Sequence, residues 1–190
     1  EHPNGNSLFA YDTDGNLLWK WRLDGYAGEC ALNDRYLVIP IAQNLVTEDR
    51  NVHGVYVFDI SKSGGSNSKL VQIYNTKGIT IAADISPDGK YIAFTIGGPL
   101  NLIYYAIQHL AVIPVSGGSA KVLTASYDRN VWNPQWSPDS RKIYFIGEDD
   151  QNLDLNAISV EGGAIEKVIA GRHTIYDYKL LGSDKIVLQY

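Results

Sequence analysis

ISPDGKYIAFT, from Ile85 to Thr95, and WSPDSRKIYFIG, from Trp136 to Gly147, are two copies of one pattern. Each runs from an apolar residue through Ser-Pro-Asp, a small residue and a cation into alternating side chains. Pro fixes φ near −65°, Asp can bond the backbone two residues on, and Gly accepts positive φ, so Ser86 to Gly89 spell a tight turn between two strands. Tyr91, Ala93 and Thr95 alternate with Ile92, Phe94 and Ile96. That is the period-two signature of a strand, here with sizeable residues on both faces.

The aspartates of the two copies, Asp88 and Asp139, lie 51 residues apart. Weaker copies extend the series: ALNDRYLVIPI around Asp34, 54 residues before Asp88, and LLGSDKIVLQY around Asp184, 45 residues after Asp139. A second element recurs between them, a β-type run, a Gly-containing turn and another β-type run. It is LFAYDTDGNLLWKW around Gly15, VYVFDISKSGGSNSKLVQIY around Gly64 and Gly65, LAVIPVSGGSAKVLTA around Gly117 and Gly118, and LNAISVEGGAIEKVIA around Gly162 and Gly163. Paired glycines supply the positive φ of a tight β-connection. One period thus holds two hairpins, which is the size and content of a β-propeller blade. No useful run of helical periodicity occurs.

The expected fold is therefore all-β, a propeller of about four blades of four antiparallel strands. The blades fall at 26–75, 79–125 and 131–170, flanked by partial blades at 6–23 and 174–190. Strands of the best-defined blade are predicted at 79–85, 90–96, 107–115 and 119–125. The chain opens with the third and fourth strands of a blade and closes with the first and second of another. Either these halves meet to close a four-bladed ring, or the chain is an arc of a larger propeller. A composition with Met 0 favours the arc.

Composition narrows the partners. The 190 residues are 45% hydrophobic and 19% charged, as in an ordinary globular protein. No apolar stretch of about 18 residues suggests a membrane span, and no charged, apolar and cleavable leader is visible. The formal charge of −5 offers no field for polyphosphate, so nucleic acid is excluded as a partner. Cys30, the single cysteine, can close no intrachain disulfide, and no asparagine sits in an Asn-x-Ser/Thr acceptor. These features lean toward a cytoplasmic chain.

The SPDG-K-Y-I-A-F pattern, followed by L-x-V-x-P-V-x-GG-x-x-x-x-L-T, resembles the repeat of TolB-like propellers. It resembles still more the N-terminal propeller of the prolyl oligopeptidase family of serine peptidases, especially its acylaminoacyl-peptidase and dipeptidyl-peptidase members. Ser86, Pro87, Asp88, Gly89 and Lys90 match the first-hairpin turn, as do Ser137, Pro138 and Asp139, with Ser140 in place of the glycine. Pro114, Val115, Gly117 and Gly118 match the second hairpin, and Val160, Gly162 and Gly163 repeat it. The resemblance implies a propeller that covers an α/β-hydrolase domain and restricts its substrates to short peptides. Inner-strand residues 80–84, 130–135 and 174–178 would line the channel. Partners would be the hydrolase domain or the remaining blades, with peptides or a protein as ligand. An incomplete arc would also self-associate, since terminal repeats need capping. A stand-alone TolB-like interaction module is the alternative. A glycan-related or quinoprotein-like propeller is another, because LFAYDTDGNLLWKW resembles a quinoprotein blade.

Catalytic machinery is not found in the sequence. A peptidase of this family needs a G-x-S-x-G elbow, whereas GGSNS at 64–68 and GGSAK at 117–121 lack the second glycine. His2, His53, His109 and His173 are too far apart for a metal pair. His173 and Asp177 suggest a dyad without a nucleophile, and lie too far apart on a strand to touch. Asp150, Asn152, Asp154 and Glu161 mimic a calcium loop, but Leu155 stands where such a loop needs glycine. Asp12, Asp14, Gly15 and Asn16 read as a hairpin turn with an exposed calcium site left open. Trp19, Trp21, Trp132 and Trp136 are the candidates for a sugar-stacking platform, Trp136 being equivalent to Ile85 and so blade core. No catalytic residue, cofactor site or metal site is assigned.

Overall fold

A computed structural model describes residues 7–23, 25–42, 53–62, 69–76, 78–98, 102 and 105–190. All of its named elements are strands. Strands β1 (Ser7–Tyr11) and β2 (Leu17–Arg22) form a hairpin. The next sheet holds β3 (Tyr26–Ala27), β4 (Ala31–Leu32), β5 (Tyr36–Ala42), β6 (Gly54–Asp59) and β7 (Leu70–Asn75), with β3 and β4 both paired to β5. Two four-stranded antiparallel meanders follow: β8 (Ala83–Ile85), β9 (Tyr91–Ile96), β10 (His109–Pro114) and β11 (Lys121–Val122), then β12 (Val131–Trp136), β13 (Lys142–Asp149), β14 (Asn152–Ser159) and β15 (Glu166–Ile169). A last hairpin joins β16 (Asp177–Leu181) to β17 (Lys185–Gln189). Among the described residues the β1–β2 and β16–β17 hairpins are two separate two-stranded sheets.

The repeated turn has one construction in both strong copies. Ser86 Oγ donates to Asp88 Oδ1 at 2.8 Å and accepts from the N–H groups of Lys90 and Tyr91 at 3.1 and 3.0 Å. Ser137 Oγ likewise donates to Asp139 at 2.7 Å and accepts from Arg141 and Lys142 at 3.2 and 2.9 Å. The hydroxyls are buried, and their bonds replace the water the backbone would otherwise need. The left-handed position is Gly89 at φ +68° in one turn and Ser140 at φ +60° in the other. In the weaker copy Asn33 Oδ1 takes over the role, accepting from Arg35 and Tyr36 N–H at 2.9 and 2.8 Å.

Four apolar cores lie between successive sheets, and alternation sends one strand's residues into two of them. Ile92 and Phe94 of β9 pack with Val38, Val55 and Val57 of the preceding sheet, while Ala93 packs with Val131, Ile143 and Phe145 of the following one. Leu37, Ile39 and Ile41 face Trp19 of the first hairpin, and Ile146 and Leu155 face Ile175 and Tyr178 of the last. Face-to-face sheets buried on both sides are the propeller arrangement.

Two strands are shorter than the sequence predicts, for a local reason. Thr95 Oγ1 accepts from the N–H groups of Ile81 and Ala82 at 3.4 and 3.3 Å, so on that side a side chain takes the place of a backbone acceptor, while Thr95 N–H still donates to Ala82 O at 3.0 Å, and β8 begins only at Ala83. In the same way Thr124 Oγ1 accepts from Leu110 N–H at 2.8 Å, and β11 is confined to Lys121 and Val122. The predicted turn at Gly64 and Gly65 lies outside the described residues, as does GGSNS.

Candidate functional site

Inner strands of neighbouring sheets run side by side. Glu29 and Ala82 form a parallel bridge, and Gly28 allows the approach, because a Cβ there would lie 2.1 Å from Ile81 O. Where β8, β12 and β16 come together, six side chains form a polar cluster that crosses three sheets. Its centre is a bulge in β12: the register shifts between Trp132 and Gln135, and Asn133 takes φ +48°. Bulges of this kind aim a side chain out of the ladder.

Asn133 Nδ2 donates to Asp177 Oδ1 at 2.6 Å, and Asn133 O accepts from Tyr178 Oη at 2.7 Å. Gln135 Nε2 donates to Asn133 Oδ1 at 3.2 Å and to Tyr178 O at 2.7 Å. On the other side Trp136 donates twice to Asp84, from its backbone N–H to Oδ2 at 2.8 Å and from the indole Nε1 to the backbone O at 3.2 Å. Burial pushes the Asp84 carboxyl above the usual carboxylate range, against the Trp136 and Ile85 N–H groups, which favour its anion. Burial also holds the Tyr178 hydroxyl well above its ordinary value, with the Asp84 charge adding to the effect. The hydrogen bonds of the cluster tie the three inner strands to one another. The cluster contains no nucleophile paired with a base.

Of the segments expected to line the channel, only part faces outward. Thr80, Ala83, Val131, Pro134, Ile175 and Tyr178 are buried, whereas Ile81 and Tyr176 are exposed and Asp84, Asn133, Gln135 and Asp177 are half-buried. Thr80 pairs hydroxyls with Thr76 at 2.9 Å. Asn130 Oδ1 accepts from Gln108 N–H at 2.9 Å. Trp132 packs against the fourth core, and Thr174 bridges to Leu153. Sequence reasoning missed the cross-sheet partnership of Asp84 and Trp136, which arises only when the two sheets stack.

The suspected dyad is not built. Asp177 is held by Asn133, while the His173 ring meets Tyr190 edge-on at 5.2 Å. His109 Nδ1 lies 2.9 Å from Thr124 O and pins the end of β10. His53 is buried, which lowers its pKa, and His2 lies outside the described residues.

The calcium-like segment is a hairpin with Asp150 and Gln151 at φ +42° and +67°. Asp154 is turned to Lys167, 3.4 Å away, which also bonds Asp149. Asp12 Oδ1 accepts from Asp14 and Asn16 N–H at 3.0 and 2.8 Å, so that carboxylate is spent on its own turn. The tryptophan platform is likewise not formed. Trp19 and Trp21 lie 5.7 and 5.5 Å from the Phe58 ring inside a core, and Trp136 is 5% exposed. Cys30 is a free, exposed thiol.

The chain is thus a segment of a β-propeller, the fold it shares with solved propellers of a protease and of TolB. It is 30% identical over 127 residues to dipeptidyl-peptidase 5 of Porphyromonas gingivalis, a match that covers 66% of this chain and 18% of that protein. In structure it is similar to the β-propeller domain of the Trilobed protease from Pyrococcus furiosus, with a TM-score of 0.63 and 14% identity, covering 97% of this chain and 52% of that one. It is also similar to TolB from Acinetobacter baumannii, with a TM-score of 0.62 and 16% identity, covering 96% of this chain and 42% of that one. The chain therefore spans about a fifth of the curated relative and about half of the propeller domain. No family model matches it.

Proposed function

We propose that this chain is a non-catalytic propeller portion of a prolyl oligopeptidase-family serine peptidase, and that its inner-strand side restricts access to an α/β-hydrolase domain. The observation that carries this reading is the 30% identity to a dipeptidyl-peptidase over 127 residues. These 190 residues contain no G-x-S-x-G motif, so in this reading the nucleophile would lie in another segment. The polar cluster around Asn133 would form a fixed wall beside the path of an extended peptide, offering amides and carboxylates to its backbone.

The test is a fluorophosphonate probe applied to the native protein that contains this chain, followed by hydrolysis of peptides of increasing length. Labelling outside residues 1–190, with turnover falling as peptides lengthen, is the expected result. A protein that does not label would sink the peptidase reading and leave the TolB-like interaction module.

A further inference from the structure

The outer strand β15 is held in a different way from β7, the outer strand two sheets earlier. In β7, Tyr74 is buried in the core shared with the β8–β11 sheet, and its hydroxyl reaches Pro114 O at 2.6 Å and Val115 O at 2.9 Å. In β15, Glu166, Lys167 and Val168 are all exposed. Ile165, just before the strand, and Ile169 at its end reach cores, and both are only partly buried. The ladder to β14 pairs Ala157 with Glu166, Asn156 with Lys167 and Leu155 with Ile169, with a shift of register before the last. Apolar burial therefore gives β15 little hold.

Charge supplies the hold, and it does so from both faces. Consecutive strand residues point to opposite sides of a sheet, so Glu166 and Lys167 are gripped separately. Glu166 Oε2 lies 2.6 Å from Lys142 Nζ, which reaches over β14 from β13. Lys167 Nζ pairs with Asp149 at the other end of β13 and, at 3.4 Å, with Asp154 Oδ2 of β14. Asp154 is 3% exposed, and its Oδ1 has no hydrogen-bond partner among the described residues. Lys167 thus compensates a carboxylate withdrawn from water, the kind of pair whose loss costs most. Both lysines are held above the ordinary lysine range, Lys142 chiefly by its bond to Glu166 and Lys167 by its bond to Asp149. Tyr127 and Arg129 face the Lys167 pairs from the preceding connection, and Tyr144 and Asp139 face Lys142. Burial keeps the Tyr127 hydroxyl above its ordinary value, so below neutrality the groups that change charge here are the carboxylates, which ordinarily titrate near pH 4.

We propose that β15 is a releasable outer strand: the ionic clasp of Lys142, Glu166, Asp149, Asp154 and Lys167 holds it at neutral pH and lets it go in acid, leaving β14 as the edge of its sheet. Protonating Glu166, Asp149 and Asp154 removes the partner of each lysine. The hold weakens again in alkali. A raised lysine pKa gives a contribution that is complete below the unfolded value and lost as pH rises through the folded one. Once bare, the β14 edge at Leu155, Asn156 and Ala157 is a template for another strand. The clasp uses no hydrolase domain, so it stands or falls apart from the peptidase reading.

The test is hydrogen exchange of the native protein that contains this chain, read by mass spectrometry at pH 7 and pH 4 and expressed as protection relative to the unstructured rate at each pH. Protection over Glu166–Ile169 should fall about tenfold at pH 4, while that over Leu70–Asn75 and Tyr91–Ile96 changes by less than about twofold. The double variant Asp149→Asn, Glu166→Gln should show the lowered protection already at pH 7 and lose most of the response to acid. The proposal is overturned if β15 keeps its protection at pH 4, if β7 and β9 lose theirs equally, or if the folded double variant responds to acid as the unaltered protein does. Should the double variant fail to fold, the comparison of β15 with β7 in the unaltered protein decides.

Discussion

Trp136 donates both of its N–H groups to Asp84, a residue 52 positions earlier and one sheet away. The pair joins the last residue of inner strand β12 to the middle of inner strand β8, and it places a buried indole over a half-buried carboxylate. Removing the indole donor while keeping an aromatic ring isolates one of the two bonds. Trp136→Phe should cost about 1–2 kcal/mol, and Trp136→Ala about 3–5 kcal/mol because it also leaves a cavity. Urea unfolding followed by circular dichroism reads both, and equal losses for the two variants would refute the division.

Asp84 gives the fold a pH dependence of defined sign. Burial raises its folded pKa above the unfolded value near 3.9, so the folded state binds the proton more tightly. Its favourable contribution is complete below the unfolded pKa and is lost as pH rises through the folded pKa. Asp84→Asn should therefore flatten the decline of stability on the alkaline side of pH 4 and leave the rest of the profile in place. Melting temperatures from pH 3 to 8 check this, and an unchanged profile would remove Asp84 from the account.

The turn serines make a paired prediction. Ser86 and Ser137 each satisfy two backbone N–H groups with one buried hydroxyl. Ser86→Ala and Ser137→Ala should each destabilise by about 1–3 kcal/mol, a fall of roughly 2–9 °C in melting temperature for a chain of this size. Thermal unfolding by calorimetry measures it.

Asn133 holds the last hairpin. It bonds Asp177 and Tyr178 from a left-handed backbone position that other residue types occupy at a cost. Asn133→Ala should accelerate hydrogen exchange across Asp177–Leu181 and Lys185–Gln189 while leaving β8–β11 protected. Uniform acceleration throughout the chain would show that the cluster has no such local role.

Much of this was legible in the residues. Ser-Pro-Asp-Gly encodes its own hydrogen bonds within five positions, so the turns and the alternating strands beside them could be read directly. Strand ends could not, because Thr95 and Thr124 compete with the ladder only once a partner strand is in place. The polar cluster was hidden for the same reason. Asn133 meets Asp177 and Asp84 meets Trp136 only through stacking of whole sheets, and nothing within a few residues of either signals its partner. Trp19 and Trp21 appeared available to a ligand because the ring that covers them, Phe58, belongs to the next repeat.

The four cores, each shared by two adjoining sheets, set how the chain comes apart. They stand in series, so an interior sheet is gripped on both faces and each flanking hairpin on one. Such an array behaves as a short linear lattice in which every link depends on its neighbours. When these 190 residues are studied by themselves, loss should begin as fraying at β1–β2 or β16–β17 and travel inward sheet by sheet. Under a pulling force the chain would then yield in a sequence of discrete steps, with the β8–β11 meander among the last to let go.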